Sequence, residues 1–201
     1  MLTIVIQAGG ESTRMGQDKA LMPFLGRPLI QRVFEQVAKL GDEILVTTNH
    51  PESFTFLETI LIPDLLPGHG ALGGLYTALS AASHPLVGVV ACDMPFVNTD
   101  LLNALRERLV ETGCDAAIPR SSGGMEPFHA IYRRETCLPM IKSSLENGLR
   151  RVDSWFSKAQ IVFFTPAEVQ EFDPRQMAFM NINTPADLWQ AEKQAREESL
   201  F

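Results

Sequence analysis

The chain has 201 residues, 45% of them hydrophobic and 20% charged, which is typical of one folded domain over residues 1–201 and excludes a disordered or fibrous protein. Its net charge of −7, from 17 Lys and Arg against 24 Asp and Glu, argues against a general nucleic-acid-binding protein. Three widely spaced cysteines without a C-x-x-C pair indicate neither a disulfide framework nor a zinc site. Because the N-terminus lacks a basic region and no apolar run is long enough to span a bilayer, we expect a cytoplasmic protein without a membrane association.

A short apolar segment followed by glycines opens the chain. The Ala-Gly-Gly of residues 8–10 stops the apolar run of residues 2–6, which is typical of a central parallel strand whose chain then turns sharply. Arg14 and Lys19 follow, so positive charge stands beside small residues whose backbone N–H groups can approach a ligand closely. The pattern predicts a phosphate-binding loop, although a plain turn with two solvated cations would also explain a bare Gly-Gly.

Two common glycine-rich loops are excluded at this place. The dinucleotide pattern G-x-G-x-x-G has no counterpart between Gly9 and Gly16. A P-loop requires Gly-Lys followed by Ser or Thr, whereas Gln17 follows Gly16.

A helix and a second strand come next. Residues 29–38 carry an apolar stripe at i, i+3 and i+4 spacing, with Pro28 at the start and Gly41 as a C-terminal cap, and residues 44–48 form a strand. Asn49 comes directly after this strand, and the carboxyl ends of parallel strands line the ligand crevice of such sheets. Asn49 is therefore a candidate contact to a base or ribose, with an ordinary turn residue as the equal alternative.

Two aspartates follow later strands. Asp64 comes after a strand at residues 57–62 and before a second glycine-rich loop that opens a helix. Asp93 follows residues 86–91, an unbroken apolar run typical of a strand covered on both faces. A carboxylate at this place can reach the crevice, and Mg²⁺ typically takes one or two carboxylates together with phosphate oxygens and water. Asp93 is thus a candidate Mg²⁺ ligand, and the alternative is a turn residue stopped by Pro95.

The C-terminal half offers fewer functional signals. We interpret His129 as a packed histidine rather than a catalytic base. Arg150 and Arg151 allow two interpretations. They are either solvent-exposed residues of a turn or a pair of cations that binds an acidic group.

A helix start is clear near the C-terminus. Thr184 is placed as its N-cap, with Pro185 at the first helical position and Asp187 three residues after the cap. Capping explains Thr184 but leaves the nearby Asn181 and Asn183 without a structural role. The alternation of strands and helices along the chain predicts a doubly wound α/β fold, with a mostly parallel sheet, helices on both faces and a mixed edge.

Three segments together resemble the molybdenum cofactor guanylyltransferases, a nucleotidyltransferase family. They are Gln-Ala-Gly-Gly-x-Ser-x-Arg-Met-Gly-x-Asp-Lys at residues 7–19, Asp-x-Pro at residues 93–95 and Asn-x-Asn-Thr-Pro at residues 181–185. Gln7 stands where the family usually has Leu, on the side of the loop that faces the nucleobase. The related cytidylyltransferases have Ala-Ala-Gly where this chain has Ala-Gly-Gly, so guanine is the favoured base.

The resemblance implies an activity, transfer of GMP from GTP to the terminal phosphate of the molybdopterin cofactor with release of pyrophosphate. It also implies a nucleotide-binding N-terminal half and an acceptor-binding C-terminal half, and it assigns the site residues as follows. Nucleotide binding falls to Gln7, Ala8, Gly9, Gly10, Lys19, Asp64 and Asp93, to which the strand-end position adds Asn49. Catalysis falls to Arg14, Lys19 and Asp93, Mg²⁺ binding to Asp93, and acceptor binding to Arg150, Arg151, Asn181 and Asn183.

Two alternatives stay open at the level of the sequence. One is a nucleotidyltransferase that uses CTP or a sugar phosphate, and the other is a nucleotide-binding partner protein without turnover. Whether proteins that deliver or accept the cofactor also bind is left open by the sequence.

Overall fold

The computed structural model describes residues 1–9 and 18–198 of the chain. The strands in these ranges are β1 (Leu2–Gln7), β2 (Pro23–Phe24), β3 (Arg27–Pro28), β4 (Glu43–Thr47), β5 (Ile60–Ile62), β6 (Leu86–Ala91), β7 (Ala116–Ser121), β8 (Gly124–Met125), β9 (His129–Arg133) and β10 (Ile161–Phe164). The helices are α1 (Leu29–Val37), α2 (Gly70–Ala81), α3 (Thr99–Thr112), α4 (Arg134–Glu146), α5 (Pro166–Phe172) and α6 (Pro185–Glu197). Within these ranges, none of the helices combines the length and apolar character that a membrane crossing requires.

The main sheet has the order β10-β7-β9-β6-β1-β4-β5, with β8 paired to β7 and with β2 and β3 forming a separate small hairpin. Strands β6, β1, β4 and β5 pair in parallel, as do β7 and β10. Strand β9 runs antiparallel to both β6 and β7. The predicted class of a mostly parallel doubly wound sheet is confirmed, and the antiparallel component includes an interior strand, β9, in addition to the short β8.

Strand β1 explains why helices cover both faces of the sheet. Its side chains alternate, so that Leu2, Ile4 and Ile6 pack in one apolar cluster and Val5 packs in the other. The first cluster includes residues of α1, α3 and α5, and the second includes residues of α2 and α4. Because β1 is buried on both sides, its near-continuous apolar sequence is the one that a central parallel strand requires.

A third apolar cluster attaches α6 beside the sheet. Ala191 and Ala195 of α6 pack in this cluster with Phe24, Phe96 and Ile182. The predicted helix start is confirmed: the Thr184 hydroxyl accepts a hydrogen bond from the Asp187 N–H at 3.1 Å, and the Asp187 carboxylate accepts one from the Thr184 N–H at 2.8 Å. This reciprocal cap fixes the residue at which α6 begins.

The predicted role of Gly41 is wrong. Helix α1 ends at Val37 with Ala38 as its C-cap, three residues before Gly41. A Cβ at Gly41 would lie 2.8 Å from the backbone oxygen of Glu43 and 2.9 Å from a side-chain carbon of Ile4. Gly41 is therefore required by the close approach of the α1–β4 connection to β1, and not by a helix cap.

His129 is fully buried on β9, opposite Val90 of β6, which confirms that it is a packed residue. Its ring stands edge-on to Phe179 with centroids 5.3 Å apart. Among residues 1–9 and 18–198, neither ring nitrogen has a partner with good hydrogen-bond geometry. Burial lowers the pKa of His129 to about 4, and the backbone of Asn98 acts in the opposite direction. The folded protein therefore holds this ring neutral.

This buried histidine predicts a pH-dependent stability. Between pH 6.5 and 4 the unfolded chain binds a proton at His129 that the folded chain does not, so the stability associated with the neutral ring is intact above pH 6.5 and is lost as the pH falls to 4. Between pH 7.5 and 4 we expect the wild type to lose about 3 kcal/mol more unfolding free energy than His129→Leu, which cannot titrate there. Urea unfolding of both proteins across this range measures the difference, and parallel profiles would contradict the assignment.

Candidate functional site

The carboxyl ends of β1, β4, β5 and β6 open into one cleft of about 760 Å³. This is the place where open α/β sheets bind ligands. The predicted site residues that line the cleft are Gln7, Ala8, Gly9, Lys19, Asn49, Asp64, Asp93 and Asn181. Gly10 and Arg14, which were also predicted, lie outside the described residues.

Backbone hydrogen bonds hold the strand ends level where they enter the cleft. The Ala8 N–H donates to the Thr47 carbonyl at 2.8 Å, and the Cys92 N–H donates to the Gln7 carbonyl at 3.0 Å. The exits of β1, β4 and β6 are thereby joined side by side. A Cβ at Gly9 would meet no atom within 4 Å, so a ligand can approach the backbone there without displacing a side chain.

Lys19 connects the N-terminal part of the chain with the segment before α6. The Asp18 carboxylate accepts a hydrogen bond from the Ala20 N–H at 3.0 Å and starts a short 3₁₀ turn that carries Lys19. The Lys19 ammonium donates to the Asn183 side-chain oxygen at 2.6 Å. Two of the predicted segments, which are 164 residues apart, therefore meet at one cation.

Asp93 lies at the end of β6, beside this cation. Its backbone oxygen accepts a hydrogen bond from the Ile182 N–H at 2.9 Å, so the segment before α6 is tied to the exit of β6. Burial raises the pKa of the Asp93 carboxyl, while the nearby Lys19 charge and a backbone hydrogen bond act in the opposite direction. The carboxylate is mostly withdrawn from water and yet borders the cleft, where a bound cation would stabilise its charge.

The residues around Asp93 suit Mg²⁺ rather than a metal held in a cage of side chains. Within residues 1–9 and 18–198, no group of three or more His, Cys, Asp or Glu side chains is placed to hold an ion. One carboxylate beside a phosphate site is sufficient for Mg²⁺, because substrate phosphates and water complete its octahedron. The donor set at Asp93 fits this mode of binding.

Asn49 and Asp64 occupy the other end of the cleft, after β4 and β5. One carboxylate oxygen of Asp64 accepts hydrogen bonds from the Thr77 hydroxyl at 2.7 Å and from the Leu66 N–H at 3.2 Å. Thr77 also lines the cleft and is fully buried on α2, among apolar neighbours. Thr77 was not predicted from the sequence. A hydroxyl residue on the apolar face of the helix after Asp64 is the pattern that could have indicated it.

Gln7 lies between β1 and α2 at the cleft wall. Its amide nitrogen is buried and has no hydrogen-bond partner in the described residues, and a Cβ at Gly74 of α2 would lie 3.2 Å from that nitrogen. The absence of a side chain at Gly74 leaves room for the Gln7 amide. Gln7 therefore places a polar amide at the cleft wall, where the family that the sequence resembles usually has the apolar side chain of Leu.

The two predicted acceptor arginines differ in position. Arg150 contacts the loop before α2, donating from its guanidinium to the Gly68 carbonyl and accepting at its own carbonyl from the Leu72 N–H at 3.3 Å. Arg151 is 85% exposed and forms a two-point ion pair with Asp153, at 3.0 and 2.8 Å. Neither side chain lines the cleft in this structure, although Arg150 touches a residue that does.

Comparison with known proteins decides the family. Residues 4–161 match the family model described as the MobA-like NTP transferase domain. The chain belongs to this family. A probable molybdenum cofactor guanylyltransferase of Peptoclostridium acidaminophilum is 33% identical over 199 residues, covering 96% of this chain and 90% of that protein. A molybdenum cofactor guanylyltransferase of Desulfosudis oleivorans is 31% identical over 192 residues, covering 95% and 94%.

Solved structures agree with the MobA-like assignment. The molybdopterin-guanine dinucleotide biosynthesis protein A of Archaeoglobus fulgidus superposes with a TM-score of 0.85 at 27% identity, covering 97% of this chain and 99% of that one. A 2-C-methyl-D-erythritol 4-phosphate cytidylyltransferase of Thermus thermophilus gives 0.71 at 20% identity and shares the fold alone, covering 96% and 98%. The resemblance predicted from the sequence is confirmed, and this MobA-like protein is a nucleotidyltransferase.

Proposed function

We propose that this protein transfers GMP from GTP to the terminal phosphate of the molybdopterin cofactor and releases pyrophosphate. The observation that carries the proposal is that Lys19, held by Asn183, and Asp93 line one cleft, in a chain of the MobA-like family. The relatives' names, molybdenum cofactor guanylyltransferase, supply the donor base and the acceptor.

The reaction requires no nucleophile from the protein. An oxygen of the acceptor phosphate forms a bond to the α-phosphorus of GTP, and the bond from that phosphorus to the β-phosphate oxygen breaks, with both electrons leaving on pyrophosphate. What the chain must supply is alignment and compensation of negative charge. We propose that Lys19 and Arg14 compensate the negative charge. Residues 8–10 would contact the phosphates through their backbone N–H groups.

Asp93 would hold Mg²⁺ in this scheme. A bound Mg²⁺ would neutralise charge on the phosphate oxygens and help to orient them. The hydrogen bond from Lys19 to Asn183 holds the ammonium near Asp93, so cationic groups from the protein and from the metal would share the same phosphates.

The order of strands suggests where each substrate lies. Asn49 and Asp64 follow β4 and β5, and Gln7 is the last residue of β1. All three lie on one side of the β6 exit, and we assign them to the nucleotide. Asn181 and Asn183 flank Ile182, which is hydrogen-bonded to Asp93 at the β6 exit, and we assign them, with Arg150 and Arg151, to the acceptor. This arrangement supports one domain over residues 1–201 in which the N-terminal half binds the nucleotide and the C-terminal half binds the acceptor.

We place the reaction in the cytoplasm, because GTP is a cytoplasmic metabolite. The product is a cofactor, so a protein that supplies the acceptor or takes the product is a natural partner.

The direct test is a comparison of nucleotides. The purified protein is incubated with molybdopterin cofactor and Mg²⁺ and with GTP, CTP, ATP or UTP in turn, and the joined dinucleotide is identified by mass spectrometry alongside pyrophosphate. We expect GTP to be used at least about tenfold more efficiently than CTP, because a site that hydrogen-bonds one base leaves polar groups unpaired with another. Equal or better use of CTP, or nucleotide binding without any joined product, would contradict the proposal.

A second test concerns the metal. In Asp93→Asn we expect folding to change by about 0.5 kcal/mol or less, as for an ordinary strand-end substitution, but turnover to fall about 100-fold or more because the neutral amide binds a hard cation poorly. Pyrophosphate release is measured while Mg²⁺ is titrated, with Asp100→Asn, an exposed residue on α3, as the control. Turnover like that of the wild type, with an unshifted Mg²⁺ dependence, would show that Asp93 is structural.

A further inference from the structure

Glu126 lines the cleft but has no role in the proposed transfer of GMP. It lines the cleft between β8 and β9, on the β6 side that the proposed function gives to the acceptor. Its N–H donates to the Pro119 carbonyl at 2.9 Å, and its own carbonyl accepts from the His129 N–H at 3.1 Å. The Ser121 hydroxyl donates to one of its carboxylate oxygens at 2.6 Å, so the backbone and the side chain are both held in place.

The Glu126 carboxylate forms no ion pair with the part of the chain that the structure describes. Within residues 1–9 and 18–198, its one side-chain hydrogen bond leaves the second oxygen available. Burial raises the pKa of Glu126, opposed by the Ser121 hydrogen bond. A half-buried carboxylate without a cation costs free energy, and a ligand that donates hydrogen bonds would recover it.

The residues next to Glu126 narrow down the ligand. Met94, Met125, Pro127 and Phe128 line the same part of the cleft. This wall suits a flat ring system, whereas the carboxylate would repel a phosphate. The group that fits both features is an aromatic heterocycle with adjacent N–H donors on one edge, since a carboxylate accepts two parallel hydrogen bonds from such an edge.

We propose that Glu126 recognises the pterin of the acceptor by accepting hydrogen bonds from its 2-amino group and the neighbouring ring N–H. The inference rests on the proposed function, since molybdopterin contains the 2-amino-4-oxopteridine that offers this pair of donors. Guanine offers a similar edge, and the strand order places it elsewhere: Glu126 precedes β9, on the opposite side of Asp93 from Asn49 and Asp64. The two halves of the product would then lie on either side of the phosphates.

A matched pair of ligands tests this recognition without relying on turnover. The probes are (2-amino-4-oxopteridin-6-yl)methyl phosphate and its 2,4-dioxo counterpart, which has a carbonyl in place of the amino group. Their affinities for the full-length protein are measured by the quenching of pteridine fluorescence. We expect the wild type to prefer the amino compound by about tenfold or more, because the carbonyl would face the carboxylate with a second acceptor.

Glu126→Gln keeps the size of the side chain and an oxygen for Ser121, but it lacks the second acceptor oxygen and the charge. We expect this variant to lose most of the preference and to raise the KM for molybdopterin about tenfold or more, with the KM for GTP changed less than twofold. Glu111→Gln, which removes the same charge from an exposed site on α3, is the matched control and should behave as the wild type in both assays. Thermal unfolding of each variant verifies that the fold is intact.

The outcomes separate the inference from the proposed function. An unchanged preference in Glu126→Gln, or a rise in the KM for GTP instead of the acceptor, overturns the role of Glu126 while guanylyl transfer by the wild type stands. A preference that depends on Glu126 supports the pterin contact even if the nucleotide comparison yields no joined product, and in that case it is the transfer reaction that fails.

Discussion

The register of β1 between β4 and β6 is the constraint on which the whole site depends. Gln7 is paired with Thr47 on one side and with Ala91 on the other, so the three chains leave the sheet at the same level. A slip by one residue would turn every β1 side chain to the opposite face and would separate the loop after Gln7 from Asp93. The apolar burial of β1 on both faces therefore fixes the position of Gln7, where β1 ends, relative to Asp93.

A second constraint closes the site from the C-terminal side. The segment between α5 and α6 reaches the exit of β6 through the hydrogen bond from the Ile182 N–H to the Asp93 carbonyl. Its Asn183 side chain accepts a second hydrogen bond from the Lys19 ammonium. The capping box at Thr184 then directs α6 away from the cleft, and the alanines of α6 anchor it beside the sheet. In a chain of net charge −7, these contacts hold the Lys19 ammonium beside the Asp93 carboxylate at the cleft.

Much of this architecture could be predicted from the sequence, because it depends on short segments whose residue patterns are specific to one kind of structure. Unbroken apolar runs indicate buried parallel strands, and polar residues directly after them, such as Asn49, Asp64 and Asp93, lie in the cleft because the fold class puts all those strand ends together. The Thr184 cap is equally local and is confirmed. The interior antiparallel strand β9 carries no comparable signal, since pairing direction depends on contacts between distant segments.

The parts that could not be predicted depend on distant contacts or on what each side chain touches. The bond from Lys19 to Asn183 joins residues 164 positions apart. Thr77 reads as one more residue on a buried helix face until Asp64 is found beside it. Arg151 matches the pattern of a phosphate-binding cation, yet its guanidinium is paired with Asp153 in this structure, which a sequence pattern does not reveal.

A structure of the protein with Mg²⁺ and the non-hydrolysable donor analogue α,β-methylene-GTP would test the central claim most directly. The account predicts guanine at the end of the cleft formed by Asn49 and Asp64, the triphosphate against Gly9 and Lys19, and the cation on Asp93, with the space beside Glu126 left for the acceptor. Guanine bound beside Glu126, or a cation that does not touch Asp93, would contradict it.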